Sequence, residues 1–88
     1  MSDTQDRALA EAILAQVDVA RLPSRERIET FLRVGEWAQA GIQVLYDAAN
    51  GNAAVEDGLF RKALDMWLED MGGYLEDKFR AALAPVSV

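Results

Sequence analysis

The segment from Arg25 to Ala49 repeats apolar residues at helical spacing in two adjacent rows, and this repeat constrains the fold more than any other feature of the chain. The rows advance by steps of three and four residues, which is the periodicity of an α-helix. Side by side they cover about 240° of the helix circumference, far more than the apolar face of an ordinary surface helix. One row contains Ile28, Phe31, Gly35, Ala38, Ile42, Leu45 and Ala49, and the other contains Val34, Trp37, Gly41, Val44 and Ala48. The pattern predicts one long helix, residues 25–49, at the middle of a bundle.

The predicted central helix also has contact points, a stop signal and a polar stripe. Gly35 and Gly41 would allow a neighbouring helix to approach closely. Asn50-Gly51 would end the helix, because glycine readily adopts the left-handed conformation found at helix C-termini. The polar stripe would face solvent, and it contains Glu29, Arg33, Glu36, Gln39, Gln43 and Asp47.

A shorter first helix is predicted over residues 4–20. Ser2 and Gln5 resemble a capping box, and Leu9, Ile13 and Val17 repeat along one core-facing row. The flank beside that row holds only small residues, which are Ala8, Ala12 and Ala15. These alanines fit two alternatives equally, exposure to solvent and close packing of another helix.

A proline elbow, residues 21–24, separates the first helix from the central one. The residue before Pro23 is held out of the helical region, and Ser24 is suited to cap the next helix. Arg21, Arg25 and Arg27 make this elbow the one locally basic point of the sequence. A solvated turn is favoured here over an anion site or an acidic-partner site, because clustered surface charges usually contact water.

The third helix is predicted to run without interruption over residues 53–83. Asn52 is favoured as its cap, and a start at Asp57 is the alternative. Gly72-Gly73 resembles a break, but the apolar row keeps its helical phase across it. That row contains Leu64, Leu68, Met71, Leu75, Phe79 and Ala82. Two interior glycines cost about 2 kcal/mol relative to alanine, which burial of the side chains beyond them can offset.

These elements predict an all-α fold in one domain, residues 1–88: a three-helix bundle built on a long antiparallel hairpin of the second and third helices, with a tail at 84–88. The first helix is shorter than the third by roughly 20 Å, so it would cover only part of the hairpin. The apolar surface left over would be larger than soluble monomers usually expose. A homodimer that pairs two hairpins is therefore predicted.

Composition restricts the class of protein. The chain has 88 residues, 51% of them hydrophobic and 27% charged, which is typical of one globular domain. A net charge of −6 disfavours direct binding of nucleic acid, which needs a basic surface. No apolar run reaches membrane-spanning length, and the acidic start lacks the basic flank of a secretory signal. Because the chain has no cysteine, the simplest expectation is a cytoplasmic protein.

The sequence offers little for catalysis or for cofactor and metal binding. It contains no histidine and no cysteine, which excludes histidine base catalysis, thiolate chemistry and the usual zinc sites. The few hydroxyl side chains have no suitable base partner, and no glycine-rich phosphate loop is present. We therefore expect no enzyme, no cofactor and no metal site.

An acidic stripe on the predicted third helix is the first candidate for partner binding. Asp65, Glu69 and Glu76 would lie along one line opposite the core face. Such a stripe fits a docking site for a basic partner or a weak site for a hard cation. A solvated helix face is the favoured alternative, and Lys62 and Arg80 dilute the acidity.

A row of three residues off the main core is the second candidate. Leu59, Met66 and Gly73 recur every seven residues, and they fit a partner-binding row or a wide core equally well. Trp37 belongs to the outer row of the central helix and is expected to pack in the core or in an interface. The same packing role, rather than a ligand pocket, is favoured for Trp67, Met71 and Tyr74.

The missing chemistry and the excess apolar helix face together favour a non-enzymatic protein–protein interaction module, acting as an adaptor, regulator or inhibitor through a helix face. The alternative is an acidic mimic of nucleic acid that blocks a basic nucleic-acid-binding protein, because acids outnumber basic residues nine to four from Gly35 onward. Lys62, Lys78 and Arg80 interrupt the acids and count against mimicry. Such sequences occur among bacterial and phage accessory proteins, but fold-level analogy does not choose a function.

Overall fold

The computed structural model describes residues 3–83, and this part of the chain folds into five α-helices and two short 3₁₀ turns, with no β-strand. The helices are α1 (Asp3–Leu14), α2 (Arg25–Arg33), α3 (Trp37–Ala49), α4 (Asp57–Trp67) and α5 (Gly73–Leu83), and the 3₁₀ turns are Val19–Arg21 and Leu68–Asp70. The predicted all-α class is confirmed. The radius of gyration is 12.2 Å, as expected for a compact chain of this length. None of the described helices combines the length and the apolar composition that crossing a membrane requires.

Helix α3 lies at the centre of the fold and contacts each of the other four helices. Its two apolar rows are both covered, and Ala40, Val44 and Leu45 have no exposed surface. The core around α3 takes side chains from all four neighbours and from the elbow, which are Leu9, Ala10, Ile13, Leu22, Ile28, Phe60, Ala63, Leu64, Trp67 and Phe79. The prediction of a centrally packed helix therefore holds for residues 37–49. As predicted, this helix ends before Gly51, which has a φ of +87°.

The chain turns at Gly35, so the prediction of one helix over residues 25–49 is wrong. Gly35 has a φ of +77°, its N–H donates to the Leu32 carbonyl at 3.2 Å, and the Glu36 N–H donates to the Phe31 carbonyl at 2.9 Å. This pair of bonds is the Schellman arrangement, in which a left-handed glycine closes a helix. Gly35 therefore supplies a backbone conformation, not the close helix contact that the sequence suggested. Apolar spacing failed here because it reports which residues are buried and not whether the backbone is continuous.

The chain also breaks between Trp67 and Gly73, so the prediction of one helix over residues 53–83 is wrong. A 3₁₀ turn follows α4, and Met71 is extended with a ψ of 142°. The physical reason is visible in Phe60 and Phe79, whose rings pack edge to face with centroids 5.6 Å apart. On a continuous helix these residues would lie about 28 Å apart, so burying both in one core requires the chain to reverse. Two short helices therefore replace the long one.

The starts of the helices also differ from prediction. Helix α4 begins at Asp57, which was the alternative to Asn52. The predicted first helix, residues 4–20, divides into α1 and the turn Val19–Arg21, because Asp18 accepts a hydrogen bond from the Ala20 N–H at 3.2 Å and caps the turn. The predicted hairpin of two long helices is thus replaced by five helices of similar length. Ser2 and residues 84–88 lie outside the described residues.

Candidate protein interaction site

Helices α1 and α4 lie side by side and run in opposite directions, as shown by a hydrogen bond at each end of the pair. The Trp67 indole Nε1 donates to Asp6 Oδ1 at 2.9 Å. The Glu56 N–H, just before α4, donates to Gln16 Oε1 at 2.8 Å, just after α1. The start of α1 is therefore joined to the end of α4, and the end of α1 to the start of α4.

A groove of about 380 Å³ lies between these two helices. Its lining residues are Gln5, Ala8, Leu9 and Ala12 from α1 and Leu59, Lys62 and Met66 from α4. Leu9 is buried, Leu59 and Met66 are half-buried, and Ala8 and Ala12 are exposed. The structure thus brings together two sequence features that were predicted separately, the small flank of the first helix and the off-core row at Leu59 and Met66. We call this surface the α1/α4 groove.

Among residues 3–83, Lys62 is the one charged side chain that lines the α1/α4 groove. Within residues 3–83 its ammonium group forms no ion pair. On the neighbouring helix α1, outside the lining of the groove, Glu11 is exposed and pairs with Arg7 at 3.5 Å, with both side chains more than half exposed. An exposed pair of this kind contributes little to stability, so Glu11 remains free to exchange partners.

Trp67 holds α4 against the central helix. The indole has no exposed surface, and an ideal Cβ at Gly41 would lie 2.6 Å from two of its ring carbons. Only a glycine at this position leaves room for the ring, which confirms the predicted close approach at Gly41. The predicted core role of Trp67 is also confirmed. The wall of the groove that α4 supplies is therefore fixed from behind by a rigid contact.

The other predicted partner-binding residues do not reach this groove. Gly73 is exposed at the first position of α5, beyond the chain break, so it does not continue the row of Leu59 and Met66. Trp37 is half-buried at the start of α3, and its ring centroid lies 5.0 Å from the Arg7 guanidinium carbon. This contact is a cation–π interaction and gives Trp37 a packing role. Tyr74, expected to be packed, is instead 67% exposed.

The predicted acidic stripe is divided among three elements. Asp65 is exposed on α4, Glu69 is exposed in the second 3₁₀ turn, and Glu76 is half-buried on α5. Glu76 accepts a hydrogen bond from Arg80 Nε at 2.9 Å, which neutralises part of the acidity. The prediction that these carboxylates share one helix face is wrong, because it depended on a continuous third helix.

A buried carboxylate near the elbow was missed at the sequence level. Asp47 was expected on the solvent-facing stripe, but it is 2% exposed. Its Oδ1 accepts the Ser24 hydroxyl at 2.8 Å and its Oδ2 accepts the Ser24 N–H at 3.0 Å. The Ser24 hydroxyl in turn accepts a hydrogen bond from Gln43 Nε2 at 2.9 Å. Ser24 therefore ties the elbow to α3 and makes no side-chain cap on α2, contrary to prediction.

The basic elbow itself resembles a solvated turn. A second cavity, of about 590 Å³, opens there and is lined partly by Arg25 and Arg27. Arg25 pairs with Glu29 at 3.8 Å and Arg21 with Asp18 at 3.5 Å, so two of the three arginines are matched by carboxylates of their own segment. This arrangement agrees with the favoured alternative of surface charge in contact with water.

No group of three or more carboxylates within residues 3–83 is arranged to hold a metal ion. Comparison with protein-family models, with curated proteins and with solved structures gives no match. The α1/α4 groove, where an off-core apolar row meets a flank of small residues, is the candidate interaction site of this chain.

Proposed function

We propose that this chain is a non-enzymatic protein–protein interaction module and that its α1/α4 groove binds a second copy of the chain. The observation that carries the proposal is the lining of the groove, where the half-buried Leu59 and Met66 face the small, exposed Ala8 and Ala12. Large side chains beside small ones on neighbouring helices form a surface into which another helix can pack. Two such grooves closed against each other would form a core of four helices.

The homodimer has a different basis from the one that the sequence suggested. Val44, on the outer row of the central helix, has no exposed surface within one chain, so α3 supplies no argument for a partner. The support comes from Leu59 and Met66. Completing the burial of half-exposed apolar side chains stabilises a complex by roughly 1 kcal/mol each, so the four side chains of a dimer predict a weak complex with a dissociation constant on the order of millimolar.

Dimerisation would suit an adaptor, regulator or inhibitor. In a two-fold dimer every outward surface is presented twice, so one dimer can engage two partner molecules or two sites on one partner. The alternative function, mimicry of nucleic acid, has less support because Asp65, Glu69 and Glu76 stand on separate elements and Arg80 binds one of them. A cytoplasmic location remains an expectation from the cysteine-free composition.

Sedimentation equilibrium tests the proposal over micromolar to near-millimolar concentrations. We expect the mass to rise from 9.7 kDa toward twice that value. Met66→Asp is expected to hold the mass at that of one chain, because a carboxylate would be buried in the closed groove. The matched control is Val34→Asp, since Val34 is 63% exposed and lies away from the groove, and it should associate normally. A wild-type chain of single mass at every concentration would overturn the proposal.

A further inference from the structure

We infer that the second copy binds in one fixed register, about a two-fold axis that runs along the α1/α4 groove, with Glu11 of each chain opposite Lys62 of the other. This inference rests on the proposed function, because it assumes that the groove binds a second copy. It adds the orientation of the two chains and the residues that determine it.

The first observation is that Glu11 and Lys62 lie at the same level, which means the same position along the length of the groove. The hydrogen bonds at the two ends of the antiparallel pair fix the register of α1 against α4. Counting along α1, Glu11 stands five residues from each of the two hydrogen-bonded side chains. Counting along α4, Lys62 stands five residues from the bonded indole and six from the bonded amide. At 1.5 Å per residue, both lie about 8 Å from either end of the paired segment, and therefore at one level.

Equal levels are what this two-fold axis requires. A rotation of 180° about an axis along the groove turns the second copy over onto the first and exchanges the two helices, so α1 of the second copy would lie over α4 and run antiparallel to it. The rotation leaves every level along the groove unchanged, so a residue of α1 can meet a residue of α4 in the other copy only if the two share a level. Glu11 and Lys62 satisfy this condition, and the one axis forms both pairs. In such an interface each contact is made twice.

The small flank at residues 8–15 fits the same arrangement. Ala15 stands four residues beyond Glu11, and Leu59 stands three residues before Lys62, toward the end where α1 ends. Ala15 of the second copy therefore lies near the level of Leu59. In the same way, Ala8 of the second copy lies near the level of Met66. Each of these large side chains of α4 thus shares its level with an exposed alanine of the other copy.

Charge favours this register over others. In the part of the chain that the structure describes, Lys62 is the only charged side chain that lines the groove, and it forms no ion pair there. Two chains of net charge −6 repel each other at long range, so a local attraction is needed to orient them. Glu11 gives up only an exposed pair with Arg7 when it turns to the other chain.

Charge reversal in separate chains tests the register. Lys62→Glu alone and Glu11→Lys alone should each weaken self-association about tenfold, because both ion pairs of the dimer become repulsive. An equimolar mixture of the two variants should associate as tightly as the wild type, since both pairs are attractive in the mixed dimer. The double variant should also associate normally. Circular dichroism of each variant should match the wild type, because both positions are exposed.

Two controls keep the test specific. Glu29→Lys breaks the exposed pair of Arg25 with Glu29, which has the same four-residue spacing as the pair of Arg7 with Glu11 but lies on a helix outside the groove. Arg61→Glu reverses the charge next to Lys62. Neither should change self-association. Suppose that the wild type dimerises and Met66→Asp does not. If the single charge reversals then leave the affinity unchanged, or the mixture of the two variants fails to restore it, the register is wrong while the proposed function stands. A wild type that never dimerises would refute both.

Discussion

The indole ring of Trp67 packs directly on the backbone of Gly41, where an ideal Cβ would lie 2.6 Å from two ring carbons. The ring is fully buried and its Nε1 is held by Asp6 at 2.9 Å, so it has little room to move. Gly41→Ala is therefore expected to lower the free energy of unfolding by about 1–2 kcal/mol, because overpacking outweighs the better helix propensity of alanine. Urea denaturation measures the change.

The control for that substitution is Gly58→Ala on α4. No atom lies within 4 Å of an ideal Cβ at Gly58, so alanine should raise the free energy of unfolding by up to about 1 kcal/mol through helix propensity alone. Stabilisation by both substitutions would show that the contact between Gly41 and Trp67 is looser than described.

Gly35→Ala distinguishes a turn from a continuous helix by the sign of its effect. In the Schellman turn, a side chain at φ +77° is strained, and the substitution should lower the free energy of unfolding by about 1–2 kcal/mol. In an uninterrupted helix over residues 25–49 the same change would stabilise by about 1 kcal/mol. Gly72→Ala serves as the control, since it has neither a positive φ nor an atom within 4 Å, and it should be close to neutral.

Asp47→Ala should destabilise the fold more than a surface substitution does. It removes the acceptor of both the Ser24 N–H and the Ser24 hydroxyl in a part-buried site, at a cost of about 2–4 kcal/mol. A double-mutant cycle with Ser24→Ala should give a coupling energy of about 1 kcal/mol or more, measured by urea denaturation. Additive effects would mean that the two side chains do not share these bonds.

Trp67→Phe should loosen α1 selectively. The substitution keeps an apolar ring against Gly41 but removes the Nε1 donor that binds Asp6. Amide hydrogen exchange in α1 is expected to become several-fold faster while exchange in α3 changes less, because local opening of α1 no longer has to break this bond. Asp6→Asn, which retains an acceptor oxygen, is the matched control and should have a smaller effect. Equal acceleration in both helices would indicate a global loss of stability instead.

Features of the fold that follow from burial were predictable from the sequence, and features that follow from backbone geometry were not. The all-α class, the central helix and the contact at Gly41 follow from apolar spacing, which reports burial directly. Gly35 and Gly41 are the same residue type in adjacent apolar rows, yet one turns the chain and the other packs under an indole. Only the hydrogen bonds around each glycine separate the two roles, and spacing does not contain them.

The candidate site was predictable in its parts but not as a whole. Leu59 and Met66 were identified as an off-core row, and Ala8 and Ala12 as a small flank, but their meeting in one groove depends on the antiparallel packing of α1 against α4, which apolar spacing does not show. Asp47 was missed because its position on the helix suggested solvent. A carboxylate can be buried when a distant segment supplies donors, and Ser24 is 23 residues away.

The anchoring of α1 by residues far along the chain also bears on the order of folding during synthesis. Its two end bonds join residues separated by 61 and by 40 positions. Because a nascent chain leaves the ribosome from its N-terminus, α1 emerges before α4 and can pack on α3 before its two end bonds can form. Local pairs such as α2 with α3 can form in the meantime, since short loops close faster than long ones. The surface between α1 and α4 is therefore completed only after Trp67 has emerged, and the proposed self-association would begin only after that point.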